Sequence, residues 1–310
     1  MLLKEEQKYN QIIYHVESVD TGKTIKAILR KQWGVSGRLM TRIKKEKGIT
    51  VNGTWAPFHQ VLQEADQMVL NMAEESCEFE AENIPITVLY EDFDVLVVNK
   101  PPGMLTHPTV NIRRGTLANA VMQYMIDSKE CYKIRFVNRL DMDTSGAMIL
   151  AKNPFAHQQL AEQLSTTMEK EYLVFTLGQV NERKMSIQAP IYRPETIPEG
   201  EPPRRIVDER GKMAVSHFER LEVFPGASLL RIKIDTGRTH QIRVHMHYLG
   251  HSVIGDTFYE PDQPYRIRRQ ALHAEAITFI QPRTGEKIIC RAKLPQDLKD
   301  LKTRLKEEEF

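Results

Sequence analysis

Two short runs of helical period come first. Between Lys23 and Trp33 the apolar residues Ile25, Ile28 and Leu29 share one face, while Lys23, Lys26, Arg30 and Lys31 lie mostly away from it, as an amphipathic helix requires. A second predicted helix starts near Ser36, buries Leu39 and Ile43, shows Arg38, Arg42 and Lys45 at i, i+4 and i+7, and stops at Gly48. The period then falls to two. Ile49-Thr50-Val51 runs into Asn52-Gly53, a strong hairpin signal, and Gln67-Met68-Val69-Leu70 reads as a closing strand. Ala73 to Asn83 is acidic and without period. It predicts a boundary, with a first domain over 1–73, a linker over 74–83 and a second domain over 84–310.

From Ile84 onward short strands and helices alternate without the rhythm of a doubly wound sheet. Strands are predicted over 86–90, 95–98, 170–177, 184–191, 214–223, 228–234, 272–280 and 287–292, and helices over 116–125, 154–164 and 295–307. Many strands return quickly to one another, which favours an α+β fold with a mixed, largely antiparallel sheet and flanking helices. Two polar stretches, Arg193 to Arg205 and Tyr265 to Arg269, cannot continue a strand. Their basic ends read either as holders of a nucleic-acid backbone or as plain surface loops.

The chemistry concentrates between two apolar strands. Ile134 and Phe136-Val137 precede, and Ala147 to Ala151 follow, the stretch Asn138-Arg139-Leu140-Asp141-Met142-Asp143-Thr144-Ser145-Gly146. Two carboxylates, a guanidinium and two hydroxyls in so short a connection cost desolvation unless each finds a partner. A polar turn closed by Gly146 accounts for them equally well on local grounds. A second stretch, Asp235 to Met246, follows the alternating Leu230, Ile232 and Ile234 and opens a short helix ending at Gly250.

Composition narrows the class. A chain of 310 residues, 41% hydrophobic and 27% charged, is ordinary for a globular protein with more than one core. No apolar run reaches membrane length, and Met1-Leu2-Leu3 passes into Lys4-Glu5-Glu6, so neither a membrane segment nor a secretory signal is expected. Cys77, Cys131 and Cys290 are odd in number and far apart, which suits a reducing, cytoplasmic setting and disfavours a disulfide framework or a cysteine zinc site. The net charge of +2 hides an uneven distribution: between Lys23 and Lys47 every charged residue but Glu46 is basic. Two adjacent basic helices point to a polyanion, since Lys and Arg contacts to phosphate supply affinity without sequence preference.

The motifs Asn-Arg-Leu-Asp-Met-Asp-Thr-Ser-Gly at 138–146 and Thr-Gly-Arg-Thr-His-Gln-Ile-Arg-Val-His-Met at 236–246 together resemble the RluA/RluD family of RNA pseudouridine synthases. Leu89 to Asp92 leading to Val97 to Gly103, His107-Pro108, Lys170-Glu171-Tyr172 and Leu272-His273-Ala274 fall in the family's order. One position departs, Asn138, where the family usually has His. The resemblance implies a pseudouridine-synthase fold and an isomerase that turns uridine into pseudouridine, most naturally in ribosomal RNA, with no cofactor, no metal and no obligatory protein partner. It implies Asp141 as the catalytic carboxylate, Arg243 as its partner, and Tyr172 as the residue that stacks on the base and shares in its proton transfer. Leu272 would wall the other face of the base, and Arg139 and Thr144 would support the loop and touch the nucleotide. Residues 1–73 resemble the small RNA-binding domain named after ribosomal protein S-four, which gives Lys26, Arg30, Arg38, Arg42 and Lys45 an RNA-binding role.

Two other readings compete. A non-catalytic RNA-binding or ribosome-assembly protein could keep the fold without turnover, encouraged only by Asn138. A metal-dependent transferase could use Asp141 and Asp143 as an Asp-x-Asp magnesium site, although no Gly-x-x-x-x-Gly-Lys phosphate loop accompanies it. His240, His245 and His247 are spaced unlike a helix-borne zinc pair and read as structural or RNA-facing, and His107 as structural.

Overall fold

The computed structural model describes residues 8–73, 75, 79–196, 204–263 and 267–307. In the N-terminal part β1 (Gln11–His15), β2 (Ile49–Val51), β3 (Thr54–Trp55) and β4 (Gln67–Asn71) form an antiparallel sheet in the order β1-β4-β2-β3. Asn52 and Gly53, at φ 49° and 78°, make the tight turn between β2 and β3, the left-handed pair that matches strand twist. Helix α1 (Ile25–Ala27) widens into a π turn over Ile28–Gln32, and α2 spans Gly37–Lys45. Thr24 and Ser36 cap them by accepting from the backbone N–H of Ala27 and Leu39. Ile25, Ile28 and Leu29 are fully buried against the sheet, as their spacing predicts.

The rest of the chain runs β5 (Thr87–Glu91), β6 (Val95–Lys100), α3 (Leu117–Asp127), β7 (Arg135–Phe136), β8 (Ser145–Ala151) and α4 (Pro154–Leu164). Then come β9 (Glu169–Leu177), β10 (Lys184–Tyr192), β11 (Ile206–Val207), β12 (Lys212–Phe224), β13 (Ala227–Ile234) and α5 (Gln241–Tyr248). β14 (Leu272–Ile280), β15 (Lys287–Arg291) and α6 (Gln296–Glu307) follow. Among the described residues these strands build one sheet in the order β11-β10-β12-β13-β9-β14-β8-β6-β5, with β15 on β14 and β7 on β8. Its pairings are antiparallel except β14 with β8, where His273 and Ala274 face Ser145 and Gly146. That parallel contact lies where the polar 138–144 connection enters β8. Gly146 has φ 121°, and a Cβ there would sit 2.2 Å from the Ala274 carbonyl oxygen, so only glycine lets the two strands meet.

The two parts are locked together more firmly than an acidic linker suggests. Phe155 of α4 is buried in the N-terminal core, its ring 6.4 Å from that of Trp33. Gln158 accepts from Ser36 N–H at 2.8 Å and donates to the Gly34 carbonyl at 2.7 Å. The buried Arg283 guanidinium pairs with Asp94 at 2.7 Å and donates to the carbonyls of Gln11 at 2.6 Å and Lys8 at 3.0 Å, both beside or within β1. Glu75 bridges Arg42 and Arg135 across the same seam. From sequence, removing residues 1–73 is expected mainly to weaken RNA binding. The structure corrects this, because removal would also expose Phe155 and leave Arg283 without two acceptors. We expect residues 74–310 alone to unfold roughly 5–10 °C below the full chain. Calorimetry of both would check this, and an unchanged midpoint would refute it.

Of the two polar stretches, residues 197–203 and 264–266 lie outside the described residues. Arg269 is not an RNA-facing cation. It is buried, with Asp297 at the start of α6 held at 2.6 Å.

Candidate active site

Residues 138–144 cross from β7 to β8 and are held from three sides. The Thr144 N–H donates to the Asp141 carbonyl at 3.1 Å, closing a turn. Lys100, at the end of β6, is wholly buried, and its ammonium donates to the carbonyls of Pro101 and Met104 at 2.9 Å each and of Met142 at 2.7 Å. Burial pulls its pKa down to about 7 against the opposing charges of Asp143 and Asp141, yet the three carbonyls together need all three ammonium hydrogens. From the other side Arg269 donates to the Asp143 carbonyl at 3.1 Å, and Gln270 donates to Thr144 Oγ1 at 3.3 Å. Asn138 is buried and pairs with β8, accepting from the Ile149 N–H at 2.9 Å and donating to the Ala147 carbonyl at 3.3 Å. The residue that departs from the family pattern therefore braces the loop through backbone contacts, as an amide can.

Helix α5 supplies the facing group. Ile242 and Met246 pack into the core, which sets Arg243 toward the loop. Its Nη1 donates to Asp141 Oδ2 at 3.0 Å, while Nε and Nη2 donate to the two carboxylate oxygens of Asp256 at 2.5 and 2.8 Å. The fork is thus filled by Asp256, and Asp141 receives a single-point contact at one oxygen. The rings of Phe258 and Tyr259 lie over the guanidinium at 5.4 and 5.2 Å. Burial alone would lower the pKa of Arg243, but the bonds to Asp256 and the charges of Asp256 and Asp141 outweigh it, and the net shift is upward.

Asp256 has no place in the sequence reading. Its only signal is an acid ending the apolar Val253-Ile254-Gly255 run, where a buried carboxylate demands a cation. Gly255, at φ 77°, makes the approach possible, since a Cβ would meet the Arg269 carbonyl oxygen at 2.0 Å.

Asp141, Arg139, Thr144, Tyr172, Arg243 and Leu272 all line one cavity of about 440 Å³, with Lys170, Asp235 to His240 and the end of α4. Tyr172 on β9 and Leu272 on β14 are buried. Burial, and after it the charge of Asp141, push the tyrosine pKa upward, so its phenol stays protonated. Arg139 is exposed at the rim, whereas Thr144 is only 2% exposed and serves the loop through Gln270. His240 lies with Nε2 4.0 Å from Asp141 Oδ2. His245 is structural, bonded to Ser216 and the Ala189 carbonyl, and His107 packs edge-on to Phe136.

On the N-terminal helices Lys26, Arg30, Arg38 and Lys45 are exposed. Arg42 differs from the sequence expectation: it is half-buried and pairs with Glu46 at 3.0 Å and Glu75 at 2.5 Å.

Comparison with known proteins shows the family. The profile of the RNA pseudouridylate synthase family matches residues 94–248, and that of the RluD ribosomal pseudouridine synthase N-terminal domain matches residues 13–68. The chain is 38% identical over 262 residues to the uncharacterized RNA pseudouridine synthase YlyB of Bacillus subtilis, covering 83% of this chain and 85% of the relative. It is 33% identical over 281 residues to ribosomal large subunit pseudouridine synthase D of Pseudomonas aeruginosa, covering 85% and 86%. Human RNA pseudouridylate synthase domain containing 1 superposes with TM-score 0.54 at 25% identity, over 73% of this chain and 96% of that one. Human domain containing 4 does so with TM-score 0.57 at 20% identity, over 71% and 92%, a likeness of fold.

Proposed function

Because the chain belongs to the RNA pseudouridylate synthase family, we propose that it isomerises uridines of ribosomal RNA, with Asp141 as the acting carboxylate. The observation that carries the assignment of Asp141 is its position in the cavity, 3.0 Å from an arginine whose other hydrogen bonds are taken by a second carboxylate. Arg243 touches one oxygen of Asp141 and not the other, which leaves that second oxygen for the sugar.

A base stacked within RNA cannot reach such a recess, so the nucleotide is extruded, at least cost from a loop or bulge. A carboxylate oxygen of Asp141 bonds to C1′ as the C1′–N1 bond breaks, and the bonding pair leaves on the uracil. The freed ring turns between Tyr172 and Leu272, C5 forms the new bond to C1′, and the carboxylate departs. The C5 proton is lost and N1 gains one, so atoms and oxidation state balance. Lys26, Arg30, Arg38 and Lys45 supply phosphate contacts that weaken as salt rises.

Mapping pseudouridines in ribosomal RNA from cells with and without this protein tests the reading. At least one uridine should lose its modification and regain it with the intact gene. An unchanged ribosomal map would overturn the choice of substrate, and unchanged maps of every RNA would favour the non-catalytic alternative.

A further inference from the structure

His240 stands beside the nucleophile in a conformation that local preference does not explain. It precedes α5 with φ 57° and ψ 19°, in the left-handed region, and makes no side-chain cap of the helix. Few residues other than glycine sit there, though histidine tolerates it better than most, and such conformations gather at turns and at functional sites. Here the surroundings are a chain of hydrogen bonds. The backbone N–H of Arg205 donates to the Tyr259 hydroxyl at 3.1 Å, and that hydroxyl lies 3.0 Å from His240 Nδ1. The hydroxyl accepts from Arg205, and we assign its own proton to Nδ1, since a phenol is the better donor of the two and an imidazole nitrogen the better acceptor. Nδ1 is then the acceptor nitrogen of a neutral ring, and Nε2 carries the N–H. Burial lowers the imidazole pKa against the pull of Asp141, which keeps the ring neutral at neutral pH.

That N–H looks across a gap. Nε2 is 4.0 Å from Asp141 Oδ2, beyond hydrogen-bond length. An oxygen about 2.8 Å from each would fit between them, provided it accepts from one and donates to the other. A hydroxyl meets both conditions. Oδ2 is the oxygen already tied to Arg243, so a hydroxyl placed there leaves the other carboxylate oxygen for C1′. In a ribonucleotide the hydroxyl next to C1′ is the 2′-hydroxyl.

We propose that His240 touches the substrate, donating from Nε2 to the 2′-hydroxyl of the extruded uridine while that hydroxyl donates to Asp141. The contact would align the sugar for attack and distinguish ribose from deoxyribose at the target position. It deepens the pseudouridine reading and rests on it.

The test uses the full-length enzyme and a synthetic RNA hairpin carrying a mapped target site, with either uridine or 2′-deoxyuridine at the reacting position. His240→Asn suits a left-handed backbone and can still face Tyr259, but it is too short to reach the gap. His240→Gln reaches the gap with an amide N–H. Single-turnover rates and hairpin dissociation constants are measured for each. The unaltered enzyme should favour the uridine hairpin by roughly 10-fold or more in rate or affinity. His240→Asn should lose about that factor on uridine and little on deoxyuridine, and His240→Gln should recover part of the loss on uridine. An equal loss on both hairpins, or no loss on uridine, would overturn the proposal and leave His240 as scaffolding. No turnover of the uridine hairpin by the unaltered enzyme would instead overturn the ribosomal reading beneath it, and this contact with it.

Discussion

Asp141→Asn should yield a folded protein that binds RNA and forms no pseudouridine. The amide keeps an oxygen that can accept from Arg243 Nη1, and Arg243 keeps its two bonds to Asp256, so no buried charge is stranded. The Asp141 side chain is 28% exposed, and a nearly isosteric change there should leave the unfolding midpoint within a few degrees. The chemistry has no such reserve. A neutral amide cannot bond to C1′ and then depart as a stable anion, and Asp235, the other carboxylate lining the cavity, is engaged by His217 at 2.9 Å. The expected loss is about 10⁴-fold or more in the single-turnover rate, the scale of removing a nucleophile from other covalent catalysts. Pseudouridine formation on total ribosomal RNA, with filter binding in parallel, decides it. A variant with appreciable turnover would remove Asp141 from the mechanism.

Asp256→Asn should damage both stability and rate, although the residue touches no substrate in the proposed mechanism. Its side chain is 1% exposed and fills the fork of Arg243. Neutralising it leaves a buried guanidinium with one carboxylate, and losing one member of a buried pair typically costs about 3–5 kcal/mol. The arginine then has reason to turn its fork on Asp141 and engage both oxygens, which removes the free oxygen the reaction needs. We expect an unfolding midpoint lower by roughly 10 °C and a rate down on the order of 100-fold at saturating RNA, with the RNA dissociation constant little changed. Circular dichroism melting and single-turnover assays on one preparation would check this. A variant as stable and as fast as the unaltered enzyme would show that the Asp256 contact does not position Arg243.

Much of the site was readable because it comes in short runs. Asp141 sits in a polar turn between two strands whose apolar residues predict them, and Arg243 follows Ile242 on a helix whose inward face is evident from Ile242 and Met246. Tyr172 and Leu272 stand in the Lys-Glu-Tyr and Leu-His-Ala motifs, and they line the same cavity. Asp256, Lys100, Arg269 and the tautomer of His240 were a different case. Each acts through a partner distant in sequence: Lys100 on the Met142 carbonyl, Arg269 on Asp143, Asp256 on Arg243 and Tyr259 on His240. Residue type and spacing carry no trace of such a pairing. Arg42 and Arg269 also show how a basic residue in a basic stretch can be turned inward to a carboxylate.

By itself the amino-acid order determined most of the elements, though not β1 or β11, the antiparallel bias of the larger sheet, the polar turn at 138–146 and the cationic first helices, because each depends on periodicity or on neighbours along the chain. Only the tertiary structure decided that the N-terminal sheet is clamped to α4 and Arg283, that β8 and β14 run parallel at Gly146, and that one guanidinium is divided between two acids. The reason is physical. A buried charge or a close backbone approach is stable only with the partner that closes it, and that partner is chosen by the packing of the whole chain.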